Sequence, residues 1–331
     1  MGHNVIDNQS TRCMDDAFTR LRQGDEPVPA ILDAIIRGLG GVRLAMSHEE
    51  WRIFVRNAAA VHPIRDILHE DPFTRRSFEK PRGYAGDAVM IDYVYGYARV
   101  NGTSRLGREV MECTTNAATA KAVRYRREVF ARIVDETAAR RPLPRILALG
   151  SGHLREAFLS TAVHDRRIGQ YIALDQDPES LAVVDQSFGQ QGVRTVQASV
   201  LDLPTGDLAR VPGGAQGVDH PLHLPSLNAD RGFDLIYAAG LYDYLWQGAA
   251  KELTACAFNM LDPGGRLVVA NVMPDIPDAG YMEAIMDWWL VYRTVDQLAA
   301  VADPIPRAAI ASLRTFTDPG NSVAFLELTR A

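Results

Sequence analysis

Two glycines and an aspartate raise the first question of chemistry. The run Arg145–Leu149 leads into Gly150-Ser151-Gly152-His153-Leu154-Arg155-Glu156. Glycines at the end of a buried strand let a ligand approach the backbone before a helix begins. The next apolar run, Tyr171–Leu174, ends in Asp175, roughly 25 residues after the glycines, where a carboxylate can accept hydrogen bonds from both hydroxyls of a ribose. Asp177 precedes Pro178 and reads as the cap of the helix that follows, which leaves Asp175 as the ligand candidate. His153 reads as a helix-start residue rather than a base. A glycine turn and this acid together imply a nucleoside cofactor.

Such a site needs a parallel sheet behind it. Pro142 and Pro144 break the helix before them, and from Arg141 short apolar runs alternate with helical patterns. Arg145–Leu149, Tyr171–Leu174, Val193–Ala198, Phe233–Ala238 and Arg266–Ala270 read as strands, with Ser180–Gln190 and Gln247–Met260 as helices. Residues Val211–Asp230, rich in proline and glycine, read as a surface insertion whose His220 and His223 are loop residues rather than metal ligands. At the end, Ala311–Thr317 and Ser322–Leu328 flank Asp318-Pro319-Gly320-Asn321 and read as a β-hairpin. Ahead of Arg141 the periodicity is helical over Pro27–Gly40, Ser47–Val61, Gly86–Tyr97 and Ala117–Ala139. Ser47 and Glu50 have capping-box spacing, and Asp66–Phe78, interrupted by Pro72, reads as an irregular connector. The expectation is a helical domain over residues 1–140, with a lid loop near 78–96, and an α/β domain over 141–331.

The chain has 331 residues, 47% hydrophobic and 23% charged, ordinary values for a soluble globular protein, and no apolar run reaches the length of a membrane span. A net charge of −6 and a pI near 5.8 disfavour a protein that must neutralise many phosphates, so no nucleic-acid partner is expected, and Arg124–Arg127 reads as a solvated helix face. Cys13, Cys113 and Cys256 follow no metal or redox spacing; no metal is expected. The opening residues lack a secretory profile, so the expected compartment is the cytoplasm. The oligomeric state stays open, with a homodimer among the options.

Three features choose between nucleoside cofactors. A dinucleotide site wants a third glycine three residues after the second, to seat a pyrophosphate, and that position holds Arg155. After the third strand, Ser199 and Val200 offer a short polar side chain and an apolar neighbour suited to an adenine. The terminal hairpin supplies an antiparallel last strand, whereas dinucleotide domains continue in parallel. These favour S-adenosylmethionine over a nicotinamide cofactor. Around it, Tyr242, Asp243 and Tyr244 follow the fourth strand, where active sites of open α/β sheets lie. Asp243 is a candidate base, and the tyrosines are candidates for orienting groups or a sulfonium-facing rim. Asn271, at the end of the fifth strand, is expected to face the pocket. Trp288, Trp289, Tyr292 and Arg293 sit at helical spacing, with Arg293 a candidate anion anchor.

The segments ILALGSG, IALDQDP, FDLIYAAGLYDYL and MLDPGGRLVVANV resemble the successive strand motifs of class I S-adenosylmethionine-dependent methyltransferases, from about Arg145 to the C-terminus. Phe78–Gly96, GLYDYL and Asp287–Arg293 are similar to the bacterial methyltransferase family of 3-hydroxypalmitic acid methyl ester biosynthesis. The resemblance implies a Rossmann-like seven-stranded sheet with an antiparallel last strand. It also implies that Gly150 and Gly152 line the methionine part of the cofactor, Asp175 the ribose, Ser199 and Val200 the adenine, and Ala239–Gly240 the floor below the sulfonium. Lys80–Asp87 reads as a loop folded over the cofactor, with Arg82 pairing either with the methionine carboxylate or with Glu79 or Asp87, and Tyr84 as a lid contact. The expected activity is methyl transfer to a small molecule, a carboxylate or hydroxy acid in the first reading. An N- or S-methyltransferase of an amino-acid-like precursor and a non-catalytic S-adenosylmethionine-binding module are the alternatives.

Overall fold

A computed structural model describes residues 8–203 and 231–331; the insertion Val211–Asp230, with His220 and His223, lies outside them. The helices are α1 Asn8–Gln23, α2 Val28–Ala45, α3 His48–Asn57, α4 Ile64–Leu68, α5 Pro72–Glu79, α6 Ala88–Tyr95, α7 Arg105–Thr114, α8 Ala118–Arg140, α9 Thr161–His164, α10 Pro178–Phe188, α11 Gln247–Asn259, α12 Ala279–Ala284 and α13 Val295–Ala299. The strands are β1 Arg145–Leu149, β2 Gln170–Asp175, β3 Val193–Gln197, β4 Phe233–Ala238, β5 Leu261–Val272, β6 Ile310–Thr317 and β7 Val323–Arg330. The chain folds as two compact units: a helical unit, Met1–Arg124 with Asp275–Trp289, and a sheet unit, Tyr125–Pro274 with Leu290–Ala331.

In the helical unit, Val28, Ile31, Leu32, Ile35 and Leu39 form the buried stripe of α2, and Trp51, Phe54 and Val55 that of α3. The expected capping box is present: the Ser47 hydroxyl accepts from Glu50 N–H while the Glu50 carboxylate accepts from Ser47 N–H. Pro72 does not interrupt a connector. It starts α5, because its missing N–H costs nothing in the first turn and Asp71 caps the helix through Phe73 N–H. Residues 275–289, which follow β5 in sequence, belong to this unit. Buried Glu283 accepts both Nε and Nη2 of Arg43 and, at 2.6 Å, the Trp51 indole N–H. Asp278 accepts from Thr119 through its main-chain N–H and its hydroxyl. The helical spacing of Trp288 and Trp289 is not realised. The chain turns at Asp287, whose φ is +47°, Trp288 lines a small apolar cavity with Phe73, Met282 and Met286, and the Arg52 guanidinium lies 5.1 Å over the Trp289 ring.

In the sheet unit seven strands run in the order β3-β2-β1-β4-β5-β7-β6. Strands β1 to β5 pair in parallel, and β7 is antiparallel to both β5 and β6. The hairpin read from Asp318–Asn321 is therefore present, its turn held by the Asp318 carboxylate accepting from Gly320, Ser322 and Val323 N–H. The strands β1, β2 and β4 are buried along nearly their whole length, as a parallel sheet covered on both faces requires. Phe130 of α8 stacks on Tyr237 of β4 at 5.0 Å and contacts Phe325 of β7 at 6.1 Å. Among the described residues no helix is long and apolar enough to cross a membrane.

Candidate functional site

The chain leaves β1 in one direction for β2 and β3 and returns on the other side for β4, so β1 with its two neighbours forms the switch point where open α/β sheets bind ligands. The turn after β1 takes φ of +61° at Gly150 and +51° at Gly152, a region that glycine enters without steric cost. Ser151 N–H donates to Leu174 O at 3.1 Å, which ties the turn to β2. Gly152 N–H then donates to one oxygen of Asp175 at 2.8 Å, and Asp177 N–H to the other at 3.0 Å. Burial holds the Asp175 carboxyl above its ordinary range, against the pull of these main-chain donors. Asp177 caps α10 through Glu179 N–H, with Pro178 in the first turn.

Ala198 N–H donates to Asp175 O at 3.0 Å, so the end of β3 stays beside the end of β2. Ser199 comes next, its hydroxyl accepting from Leu201 N–H, and Val200 packs partly buried against the core. On the other side of β1, a Cβ on Gly150 would lie 3.3 Å from the Leu241 side chain, and one on Gly240 would lie 3.0 Å from Nη2 of Arg126. The sheet unit thus gathers Gly150, Gly152, Asp175, Ser199, Val200 and Gly240 along the C-terminal edge of its parallel strands. Arg82 and Tyr84 belong to the helical unit, half-buried in the loop between α5 and α6, where Asp87 is held by Arg76 and caps α6.

The residues expected to do chemistry are also brought together, but as a buried scaffold. Tyr242 is fully buried, and its hydroxyl bonds that of Thr254 at 2.8 Å. One oxygen of Asp243 accepts from Val272 N–H at 2.7 Å and the other from Nη1 of Arg126 at 3.1 Å. Burial pushes the Asp243 carboxyl up, and the Arg126 and Arg293 charges pull it down. Arg293 donates to Tyr242 O, Leu245 O, Asn271 Oδ1 and Gln247 Oε1. Asn271 spends its amide on Val272 O and Val291 O. The expectation of a pocket-facing Asn271, an anion-binding Arg293 and an orienting Tyr242 hydroxyl gives way to one network, because the strand ends leave main-chain carbonyls that only buried donors can satisfy.

Two features escape the sequence reading. Arg126, expected on a solvated face, is 6% exposed. Val129, Phe130 and Ile133 lie three, four and seven residues on, and all are buried, so the helical period itself places Arg126 on the inward stripe. Beneath the glycine turn, Tyr237 donates to Glu156 Oε1 at 2.5 Å and its hydroxyl lies 2.6 Å from that of Tyr171. Burial raises the Glu156 carboxyl. Alternation along β2 and β4 could have shown that these tyrosines share a face, but not that an acid meets them.

A solved structure shares this fold. A possible exported protein from Bordetella parapertussis aligns over 86% of this chain and 99% of its own, at 17% identity and a TM-score of 0.57. The fold is a Rossmann-like seven-stranded sheet with an antiparallel last strand. Two further similar structures are a TehB-like SAM-dependent methyltransferase from Corynebacterium glutamicum (17% identity, 64% and 97% covered, TM-score 0.39) and the 1,6-didemethyltoxoflavin-N1-methyltransferase of Burkholderia thailandensis (20% identity, 76% and 90% covered, TM-score 0.40). No family model matches the sequence, and no curated protein does.

Proposed function

We propose that this chain is an S-adenosylmethionine-dependent methyltransferase acting on a small molecule. One observation carries the reading. The Asp175 carboxylate is bonded to Gly152 N–H at 2.8 Å, so acid and glycine turn form a single preorganised element at the switch point. Each of its oxygens accepts one main-chain N–H and keeps a lone pair for a ribose hydroxyl. Arg155 occupies the place where a pyrophosphate site needs glycine, which disfavours a dinucleotide. The residues fit the cofactor in order: Gly150 and Gly152 for the methionine part, Ser199 and Val200 for the adenine, Ala239 and Gly240 beneath the sulfur.

Bound there, S-adenosylmethionine supplies a methyl group on positively charged sulfur. The protein's work is to hold the nucleophile in line. Asp243, the candidate base, has both oxygens engaged by Val272 N–H and Arg126. That favours an acceptor needing no deprotonation, so the finer proposal is a carboxylate, including that of a hydroxy acid. The free thiols Cys13, Cys113 and Cys256 fit a cytoplasmic protein.

Calorimetric titration with S-adenosylmethionine, S-adenosylhomocysteine and NAD tests the cofactor. The first two should bind and NAD should not; binding of NAD alone overturns the reading. With the cofactor established, incubation with carboxylic acids, amines and thiols, followed by mass spectrometry, should yield methyl esters, whereas N- or S-methyl products would replace the carboxylate proposal.

A further inference from the structure

Among the described residues few buried polar side-chain atoms lack a hydrogen-bond partner, and two of these belong to Arg126 of α8 and to Ser151 of the glycine turn. They are Nε of Arg126 and the Ser151 hydroxyl. Unpaired buried donors are costly, so such atoms in a folded protein ask for an explanation.

Arg126 and Arg293 both act on the charge of Asp243 and differ in what they have left to give. Arg293 spends its donors on four acceptors. Arg126 spends Nη1 on Asp243 and leaves the edge formed by Nε and Nη2. That edge is the one that grips carboxylates side-on, and the chain uses it so elsewhere: Arg43 holds Glu283, and Arg20 holds Glu26, through Nε and Nη2. Gly240 keeps the neighbourhood of Nη2 clear, since a Cβ there would lie 3.0 Å away. The charges agree. Asp243 faces two guanidinium groups, and Glu156, the other acid that feels Arg126, is raised toward its neutral form by burial. Asp243 alone does not neutralise both guanidinium groups.

We infer that the Arg126 guanidinium and the Ser151 hydroxyl form a carboxylate subsite at the C-terminal edge of the sheet, taking over the anion-binding role that the sequence suggested for Arg293 and Arg82. The subsite rests on the methyltransferase reading. Two carboxylates share the required chemistry, the α-carboxylate of the cofactor and that of an acid acceptor.

The test compares wild type with Arg126→Gln by calorimetry, using S-adenosylhomocysteine and its decarboxylated analogue. If the α-carboxylate is the ligand, the variant loses about ten- to a hundredfold in affinity for S-adenosylhomocysteine, the range expected for a charge-assisted pair. Both proteins then bind the decarboxylated analogue equally, and Arg126→Lys falls between. If S-adenosylhomocysteine binds both proteins alike, the saturated complexes are titrated with hexanoate and hexanamide; hexanoate binding that the variant loses assigns the subsite to the acceptor. Equal behaviour of variant and wild type in both arms overturns the subsite and leaves the methyltransferase reading intact, whereas wild type that fails to bind S-adenosylhomocysteine ends both. Should Arg126→Gln not fold with Asp243 left unpaired, the double variant Arg126→Gln/Asp243→Asn restores a neutral pair and carries the same comparison.

Discussion

Asp175 and Asp243 follow the same architectural rule and have opposite fates. Each lies at or just past the C-terminal end of a parallel strand, each is buried, and burial raises the carboxyl of each. Asp175 accepts main-chain N–H groups at both oxygens, those of Gly152 and Asp177. Asp243 accepts one, from Val272, and gives its other oxygen to the Arg126 guanidinium. Main-chain donors shape a carboxylate without neutralising it, so Asp175 keeps its charge and free lone pairs for a ligand. A buried cation ties Asp243 to the scaffold. Position after a strand selects candidates, and the nature of the partner decides between ligand binding and architecture.

The largest expected effect separates these fates directly. Asp243→Ala strands Arg126 as an uncompensated buried charge and orphans Val272 N–H, and should cost about 3–5 kcal/mol in denaturant-induced unfolding. A variant of unchanged stability that has lost turnover alone would make Asp243 catalytic after all. Asp175→Ala should act mainly on binding: S-adenosylhomocysteine affinity in calorimetry falls by about 1.5–3 kcal/mol, as for hydrogen bonds to a charged group, while stability falls by less than in Asp243→Ala, through the Gly152 and Asp177 N–H groups left unpaired. A smaller effect belongs to Tyr242→Phe. Losing the bond to Thr254, whose hydroxyl still reaches Ala250 O, should cost about 1 kcal/mol in stability and leave turnover unchanged. Turnover lost at full stability would return Tyr242 to the substrate side.

The smallest expected effect is on pH. Burial raises the folded-state pKa of Asp175, so the carboxyl takes up its proton at a higher pH than the ordinary 3.8. The ionised form accepts ribose hydroxyls best and prevails above that raised value, so affinity for S-adenosylhomocysteine should weaken as pH falls through it, and Asp175→Asn should flatten the profile. A profile rising toward acid would contradict the assignment.

Much of the fold is legible in the residues. All seven strands are: the five parallel ones as short apolar runs, the last two from the turn at Asp318–Asn321, and Pro142 with Pro144 marks where the sheet begins. The cap at Asp177 and the box at Ser47 follow from spacing alone. Among the longer helices, α1, α5 and α7 escape the reading. α1 and α7 are polar on average, which masks their amphipathic helical period, and Pro72 reads as a breaker although a proline serves equally well in a first turn. The aromatic stretch Trp288–Arg293 misleads because period is a property of residue types; the positive φ at Asp287 that unwinds it is a property of the folded backbone.

Residue order alone therefore specified the sheet, the glycine turn and the acid after β2, all of which depend on local runs and short spacings. The roles of Asp243, Asn271 and Arg293 could not be reached that way. Their partners lie far along the chain, Arg126 from Asp243 by 117 residues and Arg293 from Asn271 by 22. Whether a buried polar group serves a ligand or the scaffold depends on which donors and acceptors folding leaves unspent, and that count exists only once distant segments have met.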